Sequence, residues 1–174
     1  GLFTPVIVAP RDRLLAVAEE GQLDLGGIEI VDVPHSHAAA QRAAELAALD
    51  QVQALMKGSL HTDELMKAVL SRPELRTKRR LSHVFRFDVP MYHKPLLVTD
   101  AALNIEPTLD EKVDIVQNAI DLARVLGCAM PEVAGLAAVE TVNPRMACTI
   151  DAAALCKMAE RGQIRGAFVD GPMA

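Results

Sequence analysis

Between Lys57 and Lys67 the sequence reads KGSLHTDELMK. An apolar run stops there, and a helical pattern starts at once. Gly58 admits close approach of a ligand to the backbone, and Ser59 and Thr62 carry hydroxyl donors. Amides at a helix start favour negative charge. Lys67, about one and a half turns further on, offers a cation. The set has the composition of an anion site. The same residues also admit a local reading, with Thr62 capping the helix and Glu64 and Lys67 forming a solvent-exposed pair. The pattern alone leaves both open. His61 could serve as a base, but no partner is identifiable in the sequence. The junction is neither a P-loop, nor a Rossmann turn, nor a nucleophile elbow.

Other chemistry-bearing residues are scattered. His35 and His37 form an H-x-H pair, but no carboxylate or cysteine cluster accompanies them, so no metal is assigned. In DVPHSH, Ser36 is the expected helix cap. Asp100 and Glu140 stand at strand ends, where carboxylates do acid–base work or, more commonly, accept from loop amides. Cys128, Cys148 and Cys156 match no zinc or redox spacing. Cys148 and Cys156 fall in or near an alanine-rich helical pattern and read as buried thiols in a reducing cytoplasm.

The 174 residues carry a net charge of −5, with no Trp, one Tyr and four Phe. That excludes a general nucleic-acid binder, which needs basic surface and stacking platforms. The run RTKRR, Arg76 to Arg80, is expected to be a solvated loop. No apolar stretch is long enough to span a bilayer, and no signal-peptide pattern opens the sequence. A soluble cytoplasmic protein is expected.

Positioning these residues requires alternating elements. TPVIVAP, GIEIVDVP and VQALMKG read as buried strands, with helices at RDRLLAVAEEG, Ala38 to Leu49, and Asp63 to Leu70. Pro10 opens the first helix and Gly21 closes it. SHVFRFDV and KPLLVTDAAL read as an antiparallel pair across a Tyr-His-Lys-Pro turn. A long helix follows, with a Thr108–Glu111 capping box, an apolar stripe of Val113, Val116, Ile120 and Ala123, and Gly127 as its stop. Then come the strand EVAGLAAVE, the helix DAAALCKMAERG and the strand GAFVD. Strands alternating with helices imply βα units and a mostly parallel sheet. Neither end supplies the covering helices such a sheet needs. The chain therefore reads as an interior piece of a longer polypeptide, with 1–78 in a first lobe and 79–174 in a second. In such sheets ligands bind beyond the carboxyl ends of the strands.

The ordered motifs LMKGSLHTDELMKAVL, LSHVFRFDVPMY, TDAALNI, ETVNP and VDGPMA resemble the phosphate acetyl/butyryltransferase family, the butyryltransferase branch most of all. The resemblance implies a two-lobed three-layer α/β/α fold like that of isocitrate and isopropylmalate dehydrogenases, incomplete here at both ends, usually as a homodimer. It implies the reversible reaction of acyl-CoA with phosphate to give acyl phosphate and CoA, with CoA as substrate and no cofactor, metal, nucleic acid or membrane. It favours the anion-site reading of Gly58, Ser59, His61, Thr62 and Lys67, with Lys67 at the place of the family's phosphate-binding arginine. Lysine keeps the charge but loses the bidentate fork. By analogy Asn104, Asn143 and Asp170 lie near the cleft. The family's Thr-Ser-Arg and Asp catalytic segment is not found in these residues, so this piece alone is expected to be inactive. The alternative implied function is a non-catalytic, acetyl-CoA-sensing regulatory domain of a malic enzyme.

Overall fold

The computed structural model describes residues 3–174. The amino end, read above as lacking a covering helix, begins with two residues that lie outside the described ones. The chain divides into two compact units, one ending at Thr77 and the other starting at Lys78.

In the first unit β1 (Val6–Ala9) pairs in parallel with β2 (Glu29–Asp32), Val6 opposite Glu29 and Ala9 opposite Asp32. The helix α1 (Arg11–Glu20) joins them, opened by Pro10. Gly21 is its last capping residue, but the left-handed position falls on Gln22 (φ 51°). After β2 come α2 (Ser36–Ala48), α3 (Thr62–Leu70) and a short 3₁₀ turn at Pro73–Leu75. The core is small: Ala40, Ala44 and Ala68 are buried, with Leu60, Val69 and Leu75 packed around them. Alanines bring α2 and α3 into close approach, and Leu60 anchors the chain entering α3.

The expected third strand, VQALMKG, is not a strand; residues 52–58 carry no ladder. A β-prone run becomes a strand only where a neighbour offers backbone partners, and Met56 is left almost fully exposed at 92 %. The Ser36 cap is also corrected. His35 caps α2, its Nδ1 accepting from Ala38 N–H at 3.1 Å. An imidazole reaches the third-residue amide as well as a hydroxyl does.

In the second unit β3 (Val84–Phe87) and β4 (Leu96–Thr99) pair antiparallel, as the alternation implied. Phe85 faces Val98 and Phe87 faces Leu96, so one face of this ribbon is apolar and partly exposed. Next is α4 (Leu109–Val125), which carries the capping box read from Thr108 and Glu111. Its end is the expected glycine stop. Gly127 takes φ 98°, Cys128 N–H donates to Ala123 C=O and Gly127 N–H to Arg124 C=O, the pairing of a Schellman motif. A parallel pair, β5 (Glu132–Leu136) and β6 (Phe168–Met173), is bridged by α5 (Ala147–Glu160). Ile120, Leu155 and Ile164 form the core, with Val113, Val116, Val133 and Val169 around it. Lys112 of α4 and Asp151 of α5 join the helices at 2.5 Å.

β6 passes β5 unusually closely. A Cβ on Gly171, whose φ is +155°, would lie 2.8 Å from the Gly135 carbonyl oxygen and 3.2 Å from Ala152 Cβ. Only glycine fits there.

Cys148 is exposed rather than buried, because its place on α5 faces outward. Cys156 is half-buried; its thiol donates to Gly171 C=O at 3.4 Å, and burial, with Asp170 adding, pushes it above its usual pKa. The class expected from sequence holds: an α/β chain whose βα units pair in parallel, assembled among the described residues as three two-stranded sheets.

Candidate functional site

The KGSLHT junction sits between α2 and α3. Lys57 folds back, its ammonium donating to Gly58 C=O at 3.1 Å and Leu60 C=O at 2.9 Å. The loop is thus closed by its own lysine. Around Gly58 there is open space, since an added Cβ would meet nothing within 4 Å. Gly58 and Ser59 are exposed, and so are His61 and Thr62. The local alternative holds in kind, with Lys67 in a solvent-exposed pair, but its residues differ. Thr62 is the first residue of α3, not its cap; His61 holds the cap position without a side-chain cap bond, and the Asp63 carboxylate instead takes the first-turn amides of Asp63 and Glu64. Lys67 pairs with Asp63 at 3.3 Å, not with Glu64, because Asp63 lies one full turn before it on the same face.

Charge at this helix start is mixed. Asp63 and Glu64 both occupy the first turn of α3. Lys67 holds the Asp63 carboxyl below its ordinary range, first by its hydrogen bond and then by its charge, and the amides of Asp63 and Glu64 help. Both members of the pair are more than two-thirds exposed, so it contributes little to stability and exchanges readily. A dianion arriving beside Gly58 would compete with Asp63 for Lys67 and for the first-turn amides.

The polar residues of the second unit are arranged differently. Asp100 accepts from Ala102 N–H and Leu103 N–H, each at 3.0 Å, and from His83 N–H at 3.3 Å. Asn104 Nδ2 also donates to it, and to Leu81 C=O at 3.1 Å. These donors bring its pKa down to about 2 against the burial that opposes them. Of the two roles open to Asp100, the loop-amide one is realised. Asn104 is equally committed, since its Oδ1 accepts from Arg80 Nε. Asn143 shapes the turn before α5: its Oδ1 accepts from Arg145 N–H at 3.0 Å, and its carbonyl from Met146 N–H and the Thr149 hydroxyl. Asp170 accepts from Gly171 N–H at 2.9 Å within β6. Glu140 is exposed. His35 and His37 stack at 6.4 Å, His35 being used as the α2 cap.

RTKRR is an exposed loop, as read, but its last two arginines have partners. Arg79 pairs with Asp121 at 2.5 Å and Arg80 with Glu111 at 2.6 Å, while Arg80 N–H donates to Asp114 at 2.8 Å. The signal was available: Glu111, Asp114 and Asp121 recur at helical spacing and make an acidic stripe on α4.

Residues 36–174 match the family described as Phosphate acetyl/butaryl transferase. A phosphate acetyltransferase of Rhizobium meliloti is 58% identical over 175 residues, covering 100% of this chain and 55% of that protein. A phosphate butyryltransferase of Clostridium acetobutylicum is 39% identical, covering 100% of this chain and 58% of that one. The crystal structure of a branched-chain phosphotransacylase from Enterococcus faecalis superposes with a TM-score of 0.75 at 28% identity, over 97% of this chain and 68% of that one. A Staphylococcus aureus phosphotransacetylase, at 13% identity, gives the same score over 98% of this chain and 60% of that one, a likeness of fold. The chain spans about half the length of the curated relatives it matches. With 139 of its 174 residues inside the family match (36 to 174), the chain belongs to the phosphate acetyl/butyryltransferase family.

Proposed function

We propose that the whole protein moves a short acyl group between CoA and inorganic phosphate, and that the KGSLHT junction with Lys67 holds the phosphate. In the thioester-forming direction the CoA thiol loses its proton to a base and its sulfur attacks the acyl-phosphate carbonyl. A tetrahedral oxyanion forms, the C–O bond to phosphate breaks, and phosphate departs with the electron pair. Oriented donors lower the barrier by meeting the oxyanion. The roles proposed for this chain concern the phosphate. Gly58 leaves room for it, Ser59 and Thr62 donate hydroxyl hydrogens, His61 borders it, and Lys67 supplies the charge. The observation that carries this reading is the combination of an uncapped helix start, open space at Gly58 and a lysine held only by an exposed carboxylate.

Asn104, Asn143 and Asp170 then act as shapers of the second lobe's loops, a role supported by their hydrogen bonds to neighbouring backbone and side chains. The break between Thr77 and Lys78 supports a boundary between parts of two lobes. A homodimer in the cytoplasm, with CoA as substrate and no cofactor, completes the proposal. The relative named as an acetyltransferase at 58% identity, against 39% for the one named as a butyryltransferase, favours acetyl as the group carried.

The test is thioester formation from CoA with acetyl phosphate and with butyryl phosphate, using the full-length protein. Lys67→Ala is expected to lower kcat/KM for acyl phosphate at least tenfold, about 1.4 kcal/mol of transition-state binding, chiefly through KM. An unchanged KM would remove Lys67 from the phosphate site. Absence of turnover with acetyl-CoA still bound would return the reading to a sensing module.

A further inference from the structure

A second anion site is carried by a cleft of about 570 Å³ in the second unit, between α4 and the turn that follows α5. Arg79, Asp114, Gln117, Arg161, Gly162 and Arg165 line it. Gln117 fixes the turn: its Oε1 accepts from Arg165 N–H at 2.9 Å, and its Nε2 donates to Arg165 C=O at 3.0 Å. Arg165 Nε donates to Gly162 C=O at 2.8 Å, which sets the direction of the guanidinium. Among the described residues its two terminal nitrogens meet no acceptor, and Arg161 makes no ion pair. Glu160, beside Arg161, is engaged by Lys157.

Of two nearby carboxylates, one is offset by an ion pair and the other takes a neutral amide. Asp121 pairs with Arg79, and Asp114 accepts from Arg80 N–H. Arg124 lies over the same turn, its guanidinium 2.8 Å from where a Cβ on Gly166 would sit. On a chain of net charge −5 this is a local excess of positive charge in a preformed concavity. Cavities of this size hold small molecules, and paired guanidinium forks match phosphate geometry.

The turn at Arg161 to Arg165 leads into the amino end of β6, whereas Asp170 lies further along β6, toward its carboxyl end. We infer that the cleft binds a small phosphate-bearing anion through the terminal nitrogens of Arg165 and the guanidinium of Arg161, residues other than those of the KGSLHT junction. Because it does not rest on the transferase reading, it stands or falls separately.

Isothermal titration of the full-length protein with inorganic pyrophosphate tests it, in a Lys67→Ala background that weakens the other proposed anion site. Saturable one-site binding is expected, weakening with added salt. The Arg161→Ala/Arg165→Ala double variant should bind at least tenfold more weakly, and Arg165→Lys should fall between. Arg161→Glu, which touches no backbone bond of the turn, keeps the test valid should Arg165 variants unfold, and it too should lose at least tenfold. Absence of saturable binding, or affinity within twofold of the parent in Arg161→Glu, overturns the site.

Discussion

The loop around Asp100 and the loop around Gly58 use similar residue types for opposite ends. At Asp100 the carboxylate is fully engaged: three amides and a carboxamide converge on it, and the carboxamide is itself held by Arg80, though His83 Nδ1 beside it is buried without a partner. At Gly58 the loop cation Lys57 is bonded to the loop's own carbonyls, while among the described residues the Ser59 and Thr62 hydroxyls have no partner and the start of α3 is held only by the exposed Asp63–Lys67 pair. A saturated polar cluster rigidifies a fold but has nothing left to offer a ligand. An unsaturated one contributes little to stability and is free to bind. The comparison separates residues that hold the protein together from those available for chemistry, even though both kinds follow apolar, β-prone runs.

Substitutions can break that contrast from either side. The largest effect on stability is expected at Asp100. Asp100→Ala strands several amides at once and should destabilise by about 3 kcal/mol in urea unfolding. A loss below about 1 kcal/mol would show the cluster to be ornamental. Its pH dependence has a definite sign. The folded pKa, about 2, lies below the ordinary 3.8, so Asp100 stabilises fully above 3.8 and the contribution fades as pH falls through 2. Asp100→Asn should flatten that acid limb while leaving the neutral-pH curve displaced downward by a constant. Asn143→Ala, which loses one turn bond, should lower stability by about 1 kcal/mol without altering KM for acyl phosphate. At the open loop the expectation reverses. Ser59→Ala and Gly58→Ala should change stability by no more than about 0.5 kcal/mol, yet each should raise KM for acyl phosphate severalfold. A large stability loss at either position would place them with Asp100 instead.

Much of this was legible in the sequence. The capping box at Thr108 and the glycine stop at Gly127 depend on neighbours within a few residues, and the β3–β4 partners lie only 9 to 15 residues apart (87 to 96, 84 to 99) across one turn, so local chemistry states them. The KGSLHT junction was legible as a composition, but its geometry was not. Whether Lys67 pairs with Asp63 or Glu64 depends on which face each side chain presents, and spacing allowed both. VQALMKG failed as a strand because pairing is a non-local property; the run is β-prone, but no adjacent ladder accepts it. The roles of Asp100 and Asn104 were hidden for the same reason: Asp100 accepts from His83 N–H, and Asn104 accepts from Arg80 and donates to Leu81 C=O, all well upstream. RTKRR looked like a solvated run because its acidic partners lie on α4, at sequence separations of 31 to 42 residues (80 to 111, 79 to 121).

The close crossing of β5 and β6 has a consequence for heredity rather than for chemistry. At Gly171 the backbone torsion and the Gly135 carbonyl both exclude a side chain, and at Gly135 an added Cβ would stand 3.1 Å from Ala152 Cβ. In a library randomised at these codons and selected for soluble protein, position 171 should return glycine almost alone. Position 135 should accept alanine only when 152 has mutated to glycine in the same clone. The three codons would then be inherited as a unit, and a single-step search could not reach the paired solution without passing through a poorly folding intermediate.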